Sequence, residues 1–235
     1  MLIEMSHGPS PEQVRYFLER NGVVGARVAA KGPGAVIEIR DDAGLAESLL
    51  ESLRRHCAFA DLFQWVPNGL HDVAFWDKPH RWGDVVLACR RLFPPAAYDA
   101  YASVEARGFA LGAVLAYASS KPLVPVRKYS ESLGQFGGRR APYVTWRGHH
   151  DALWLPNLAW LAGRRVLFFD DVLETGNSLD AAASLLASAG AAVVGAFYLC
   201  DVSMPGVRDR FAFPVRSLLR MYDLGANTPI AQHTS

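Results

Sequence analysis

The chain has 235 residues, a length that suits one large domain or one domain with a small appendage. Apolar residues make up 51% and charged residues 20%, so the chain has enough apolar surface for a core, and disorder is excluded as its general state. The formal net charge of +1 argues against a general nucleic-acid-binding surface, although it leaves room for a local phosphate pocket.

The cysteines and the apolar segments favour a cytoplasmic protein. Cys57, Cys89 and Cys200 are odd in number and widely spaced, a pattern that argues against a disulfide framework or a zinc site. The polar segment 1–12 lacks the apolar stretch of a signal peptide, and the apolar segment 191–200 is too short to cross a bilayer. We therefore expect a protein of the reducing cytoplasm that does not bind membranes.

Residues 1–65 are predicted to form a small α/β unit that precedes a larger domain at 66–235. A helix is expected from Ser10 to Arg20, because Ser, Pro and Glu stand at its start. Segments 26–30 and 35–40 flank a Gly-Pro-Gly turn and predict a hairpin. A further helix is expected from Asp41 or Asp42 to about Cys57.

From residue 83 onward, predicted helices and strands alternate. Helices are expected at 83–93, 108–118 and 179–188, and strands at 97–104, 123–127, 165–169 and 192–199. Such alternation predicts a parallel sheet with helices on both faces and ligands at the carboxyl ends of its strands. Segment 129–146 is polar and glycine-rich and predicts a long loop with a strand at its far end; loop 129–148 suits a lid that closes over a site.

The most informative segment runs from Val166 to Ser178. Four apolar residues predict a buried strand, which is followed by Asp170 and Asp171, and a Thr-Gly-Asn-Ser turn then leads into a helix. Backbone N–H groups at the helix start, with the helix dipole, attract an anion, and Gly176 allows a phosphate to approach closely. The two carboxylates suit sugar hydroxyls or a hydrated magnesium ion.

Other strands that end in acids fit this segment less well. A Walker B strand would need a GxxxxGK[ST] loop elsewhere in the chain, and the sequence has none. An acidic pocket of the receiver type would not need the Thr-Gly-Asn-Ser turn.

The thirteen residues from Val166 to Ser178 resemble the motif of type I phosphoribosyltransferases that binds 5-phosphoribosyl-1-pyrophosphate (PRPP). The resemblance implies an α/β fold with a parallel-sheet, Rossmann-like core and a flexible hood loop, preceded by the small N-terminal α/β unit that the sequence pattern predicts at 1–65. It also implies that Asp170 and Asp171 hold the ribose 2′- and 3′-hydroxyls, and that the following turn wraps the 5′-phosphate. The PRPP-binding residues expected on this strand and turn are Asp170, Asp171, Val172, Leu173, Glu174, Thr175, Gly176, Asn177 and Ser178.

Two further segments resemble adenine phosphoribosyltransferases in particular. They run from Ser103 to Gly112 and from Pro122 to Lys128, and the resemblance implies that Arg107, Gly108 and Lys128 contact pyrophosphate. An arginine fork also matches phosphate oxygens on physical grounds. For Lys128, a solvated strand end is the alternative.

The base-binding candidates are Phe75 and Val172. Phe75, in the segment Phe-Trp-Asp, corresponds to the aromatic segment that stacks the base in that family, and Val172 is the second candidate. Crowded aromatic residues are more often part of a core than of a base sandwich.

The chain departs from adenine phosphoribosyltransferases at two places. The family carries a Glu-Tyr-Gly near the end of the mobile loop, where this chain has Trp146, Arg147 and Gly148 and no acid. Glu174 stands where adenine enzymes have a small residue and where hypoxanthine-guanine enzymes have a proton-handling Asp. Glu174 is therefore the candidate proton-transfer residue, with a solvent-exposed turn residue as the alternative.

The expected reaction joins PRPP to a purine-type base, with adenine first and hypoxanthine, guanine or xanthine next, and releases pyrophosphate. The catalytic candidates are Asp170, Asp171, Glu174 and Arg107, and magnesium is expected to bind through PRPP, with Asp170 and Asp171 nearby. A homodimer is implied by the family. A PRPP-sensing regulator and a biosynthetic transferase with an unusual acceptor are the alternatives.

A run of His149, His150 and Asp151 is interpreted as a solvated loop. Adjacent residues rarely converge on one metal ion, and no third ligand has a matching spacing.

Overall fold

The computed structural model describes residues 2–5, 26–31, 34–39, 64–66, 69–71, 81–145, 147–204 and 206–220. The chain divides into two compact units, one formed by residues 1–81 with 218–235 and the other by residues 82–217. The helices predicted from Ser10 to Arg20 and from Asp41 or Asp42 to about Cys57 lie outside the described residues, as does Phe75.

The described part of the first unit contains short antiparallel strands. β1 (Leu2–Met5), β2 (Ala26–Lys31) and β3 (Gly34–Ile39) form one sheet in the order β1-β3-β2. β2 and β3 pair in antiparallel register from Ala26 with Ile39 to Lys31 with Gly34, which confirms the predicted hairpin. β4 (Gln64–Val66) pairs with β5 (Gly69–His71).

The part of the chain from residue 81 to residue 220 is built on a seven-stranded sheet. Its strands are β6 (Ala100–Val104), β7 (Leu123–Lys128), β8 (Arg139–Val144), β9 (His150–Leu155), β10 (Arg165–Leu173), β11 (Ala192–Asp201) and β12 (Val215–Arg220). Its helices are α1 (Arg81–Leu92), α2 (Arg107–Ser119), α3 (Glu131–Gly134) and α4 (Asn177–Ser188). The sheet order is β12-β11-β10-β6-β7-β9-β8.

The centre of this sheet is parallel, as the alternation of elements predicts. β10 pairs in parallel with β11 on one side and β6 on the other, and β6 pairs in parallel with β7. The carboxyl ends of these four strands therefore lie along one edge. Among the described residues, no helix is long and apolar enough to cross a membrane.

Helices α4 and α2 cover opposite faces of the sheet. α4 packs on β8, β9 and β11, and its Leu179 and Leu185 are buried in a core with Phe168. α2 packs on β6, β7 and β10, where a Cβ on Gly112 would lie 2.6 Å from Ser103 Oγ. Alternate strand residues point to opposite faces of a sheet. Phe168 therefore faces α4, and Ser103 faces α2.

The structure contains more strand than the sequence predicts. β10 continues through Asp170 and Asp171 to Leu173, since its pairing with β11 extends as far as Leu173 with Asp201. The solvated loop expected at 149–151 is wrong for His150 and Asp151, which begin β9. Their partners in β8 are Val144 and Tyr143. In segment 129–146 the predicted strand is present as β8, and the short helix α3 was not foreseen.

Candidate active site

Two adjacent carboxylates lie in β10 at the carboxyl edge of the sheet. The backbone N–H of Asp171 donates a hydrogen bond to Asp170 Oδ1 at 3.0 Å. Burial raises the pKa of Asp170 well above its ordinary value, and the neighbouring charge of Asp171 adds to the shift. A ligand that brings hydrogen-bond donors or positive charge to this edge would therefore stabilise the ionised form of Asp170.

Arg107 begins α2 beside these carboxylates. Its Nε lies 2.6 Å from Asp171 Oδ2, while the arginine side chain stays about half exposed at 46%. The same carboxylate oxygen accepts no aligned hydrogen bond from the described residues, so this contact is an ion pair without hydrogen-bond geometry. The Asp171 oxygen therefore retains capacity for a further donor or a cation.

Gly108 allows α2 to start this close to β10. A Cβ at this position would lie 2.8 Å from Asp170 Oδ1, which is closer than side chains normally approach. Arg107 thus places a charged side chain beside Asp171, and Gly108 brings the backbone of α2 close to Asp170. The peptide bond between Glu105 and Ala106, in the turn before α2, is cis.

The turn from β10 into α4 ends in a glycine cap. Gly176 caps the helix with a left-handed φ of 76° and ψ of −1°, a conformation that favours glycine. The backbone N–H of Asn177, the first helical residue, donates to Thr175 Oγ1 at 3.4 Å, a distance at the limit of hydrogen bonding. Its side-chain Nδ2 donates to the carbonyl of Val144 at 2.9 Å, which ties β8 to the start of α4.

Glu174 is half-buried at the start of this turn. Burial raises its pKa to about 7, and the charge of Asp171 contributes in the same direction. The positive charges of Arg107 and Arg147 oppose the shift. The half-buried side chain differs from the solvent-exposed turn residue of the second alternative, and proton transfer by Glu174 stays a prediction.

Glu105 is a residue of the site that sequence reasoning missed. Its carboxylate accepts hydrogen bonds from Nε and Nη2 of Arg127, both at 3.3 Å, and from the backbone N–H of Lys128 at 3.1 Å. The Arg127 bonds lower the pKa of Glu105. The missed signal was the charge complementarity between the ends of β6 and β7, which lie side by side.

The structure places nearly all of the predicted site residues at one edge. Asp170, Asp171, Val172 and Leu173 end β10, Glu174, Thr175 and Gly176 form the turn, Asn177 and Ser178 begin α4, Arg107 and Gly108 begin α2, and Lys128 ends β7. Of the base-binding candidates, only Val172 lies among the described residues. The ligands assigned to these residues stay predictions.

The described residues contain no cluster of three or more His, Cys, Asp or Glu side chains that could hold a metal ion. The chemistry of this edge nevertheless suits a cation brought by a polyphosphate. Asp171 Oδ2 accepts no aligned hydrogen bond, and Asp170 lies beside it. Two carboxylates with waters and ligand oxygens form the donor set that magnesium prefers.

The parallel centre of the sheet, with helices on both faces and charged groups at its carboxyl edge, defines an α/β protein of the Rossmann-like class. The model of the phosphoribosyl transferase domain family matches residues 98–215, about half of the chain. The chain belongs to this family, and the resemblance to type I phosphoribosyltransferases is confirmed.

The similar proteins include adenine phosphoribosyltransferases of bacteria. The enzyme of Clavibacter michiganensis subsp. michiganensis is 40% identical over 139 residues, which are 59% of this chain and 74% of the relative. That of Nocardia farcinica is 41% identical over 130 residues, which are 52% of this chain and 64% of the relative.

Solved structures of adenine phosphoribosyltransferases share the fold. The enzyme of Rhodothermus marinus superposes with a TM-score of 0.61 at 26% identity and covers 69% of this chain and 96% of its own. The enzyme of Saccharomyces cerevisiae was solved with adenine and an imino-altritol bisphosphate. It superposes with a TM-score of 0.60 at 25% identity, and the match covers 68% of this chain and 96% of its own. The α/β fold expected from the sequence is therefore confirmed.

Proposed function

We propose that this chain transfers the 5-phosphoribosyl group of PRPP to adenine, giving AMP and pyrophosphate. The main support is that two carboxylates, a glycine-capped helix start and an arginine lie at the same edge of the sheet. Family membership and the bacterial relatives named adenine phosphoribosyltransferase support the same reaction.

The sugar phosphate binds along β10 and the turn that follows it. Asp170 and Asp171 accept hydrogen bonds from the ribose hydroxyls, which offset the burial of Asp170. The backbone N–H groups between Thr175 and Ser178, together with the dipole of α4, bind the 5′-phosphate. The ribose carbon C1′ is then held at a fixed distance from both anchors.

Pyrophosphate departs toward the start of α2 and the end of β7. Arg107 and Lys128 supply positive charge there, and Glu105 fixes the Lys128 backbone and Arg127. Magnesium, when bound with PRPP, neutralises part of the pyrophosphate charge, and Asp170 and Asp171 are the side chains that would hold it directly or through water. The carboxylates also stabilise positive charge that develops on the ribose.

Glu174 accepts the proton that the base loses. As the bond from the base nitrogen to C1′ forms, the bond from C1′ to the pyrophosphate oxygen breaks, and the N–H proton passes to the carboxylate. A pKa of about 7 leaves a substantial fraction of Glu174 ionised at neutral pH and still basic enough to take this proton. Val172, between the acids and Glu174 in the chain, is proposed to contact the base.

A base panel tests this function. The intact protein is incubated with Mg-PRPP and adenine, hypoxanthine, guanine or xanthine, and pyrophosphate release and nucleotide formation are measured. Adenine should give AMP and pyrophosphate in equal amounts and at the highest rate. Binding of PRPP without turnover of any base would instead favour a PRPP-sensing regulator, which the absence of an acid at 146–148 also permits.

A further inference from the structure

The connection between β11 and β12 lies against the turn expected to bind the 5′-phosphate. Nη1 of Arg210 donates a hydrogen bond to the carbonyl oxygen of Thr175 at 2.7 Å. Nη2 of the same guanidinium pairs with the carboxylate of Asp180, in the first turn of α4. One arginine thus joins the turn to the helix that follows it, from 30 or more positions away in the sequence.

Two apolar residues of the same connection close the outer side of the turn. A Cβ on Gly176 would lie 3.1 Å from Phe211 Cζ and 3.2 Å from Val207 Cγ1. The guanidinium of Arg210 lies 5.7 Å from the centre of the Phe211 ring. The Arg210 guanidinium therefore lies within cation–π range of a ring that stands beside the turn.

The hydrogen bond to Thr175 fixes the direction of the next N–H group. The peptide bond between Thr175 and Gly176 is trans, so its C=O and N–H groups point in opposite directions. With the carbonyl held toward Arg210, the N–H of Gly176 faces away from the β11–β12 connection. A positively charged donor on the carbonyl also polarises the peptide and strengthens the N–H as a donor.

The ion pair with Asp180 acts on the same anion site through charge. A carboxylate in the first turn interacts favourably with the helix dipole, but it repels a phosphate that binds at the same end. Arg210 offsets this repulsion without occupying the place of the phosphate.

We propose that Arg210 is a positioning residue for the 5′-phosphate turn: it orients the Gly176 N–H through the Thr175 carbonyl and offsets the charge of Asp180. This inference rests on the proposed function, since it requires that the turn binds a sugar phosphate. It assigns Arg210 no contact with the base or with pyrophosphate. Its loss should therefore weaken binding of the 5′-phosphate and leave binding of adenine unchanged.

The test measures ribose 5-phosphate binding by calorimetry, and kcat and both KM values with Mg-PRPP and adenine, in the intact chain. Arg210→Ala should weaken ribose 5-phosphate binding and raise KM for PRPP by about tenfold, the effect of losing one charge-assisted hydrogen bond and its charge. KM for adenine should stay within about twofold. Arg91→Ala is the matched control, because Arg91 is an exposed arginine in the last turn of α1.

Two further variants separate the two roles of Arg210. Arg210→Lys keeps the charge but not the fork of donors, so it should recover only part of the lost affinity. Asp180→Ala in the Arg210→Ala background removes the charge that repels the phosphate. It should therefore recover the affinity lost through that repulsion, but not the affinity lost with the hydrogen bond to the Thr175 carbonyl. Arg210→Lys also serves as the test variant if Arg210→Ala does not fold, as judged by thermal unfolding.

The outcomes distinguish this inference from the function on which it rests. Failure of the wild-type protein to bind ribose 5-phosphate would refute the proposed function and the inference together. Normal wild-type binding with unchanged affinity in both Arg210 variants would refute the role of Arg210 alone. Equal losses for PRPP and adenine would assign Arg210 a general structural role and overturn the proposal.

Discussion

Replacement of Glu174 by glutamine should remove both the proton acceptor and a pH dependence that the structure predicts. Burial and the charge of Asp171 raise the pKa of Glu174 to about 7. Because the acceptor must be ionised, kcat/KM for adenine should fall about tenfold for each pH unit below 7, so that at pH 6 about a tenth of the plateau remains. With an ordinary Glu pKa near 4.5, the enzyme would stay almost fully active at pH 6.

The Gln variant should lose about 10²- to 10⁴-fold in kcat, and its pH profile should flatten near 7. The assay is pyrophosphate release at saturating Mg-PRPP from pH 5.5 to 8.5. Glu131→Gln, a change of an exposed acid in α3, is the control and should keep the wild-type profile. A loss of less than about tenfold in Glu174→Gln, or an unchanged inflection near pH 7, would refute the assignment of proton transfer to Glu174.

The same substitution should stabilise the fold at higher pH. A carboxyl whose folded pKa is raised favours its neutral form, so the stability it contributes is fully present below pH 4.5 and is lost as the pH rises through about 7. Gln cannot ionise, and the variant should therefore exceed the wild type above pH 7 by about 1–2 kcal/mol, a value reduced for partial exposure. Denaturant unfolding at pH 5 and pH 8 measures this difference, and equal stabilities at pH 8 would contradict it.

Three further substitutions, one of them with a matched control, test the core and the positioning of the site. Gly108→Ala should lower turnover and destabilise the protein by about 1–3 kcal/mol, because its Cβ would crowd a buried carboxylate, whereas Gly83→Ala, with open space around it, should be neutral or stabilising in thermal unfolding. Glu105→Gln should raise KM for PRPP several-fold with little change for adenine, since it weakens the bonds to Arg127; equal changes in both KM values would count against this role. Phe168→Ala should cost about 3–5 kcal/mol in denaturant unfolding, and a cost below about 1 kcal/mol would contradict its place in the core.

The parallel sheet and the β10 motif were predictable because their signals are local. A run of apolar residues before Asp170 predicts a buried strand, and the Thr-Gly-Asn-Ser turn predicts a helix start. Both features depend on neighbours in the chain. The helix and strand bounds differ by a few residues, chiefly because pairing with β11 extends β10 as far as Leu173.

Features that depend on distant residues were not predictable. Arg210 reaches Thr175 across 35 positions, and no spacing rule links an arginine in a loop to one carbonyl. His150 and Asp151 at the start of β9 were assigned to a loop because they are polar, and their strand conformation comes from pairing with β8. The raised pKa of Glu174 likewise requires the tertiary burial of the turn.

The most direct test of the account is calorimetry of the intact protein with Mg-PRPP, for the wild type and for Asp170→Asn/Asp171→Asn. The account predicts saturable binding by the wild type at one site per chain and a loss of at least about a hundredfold in affinity in the double variant, because the ribose hydroxyls lose two charged acceptors. Absence of binding by the wild type, or equal affinity in the double variant, would contradict the claim that this strand end and turn hold the sugar phosphate.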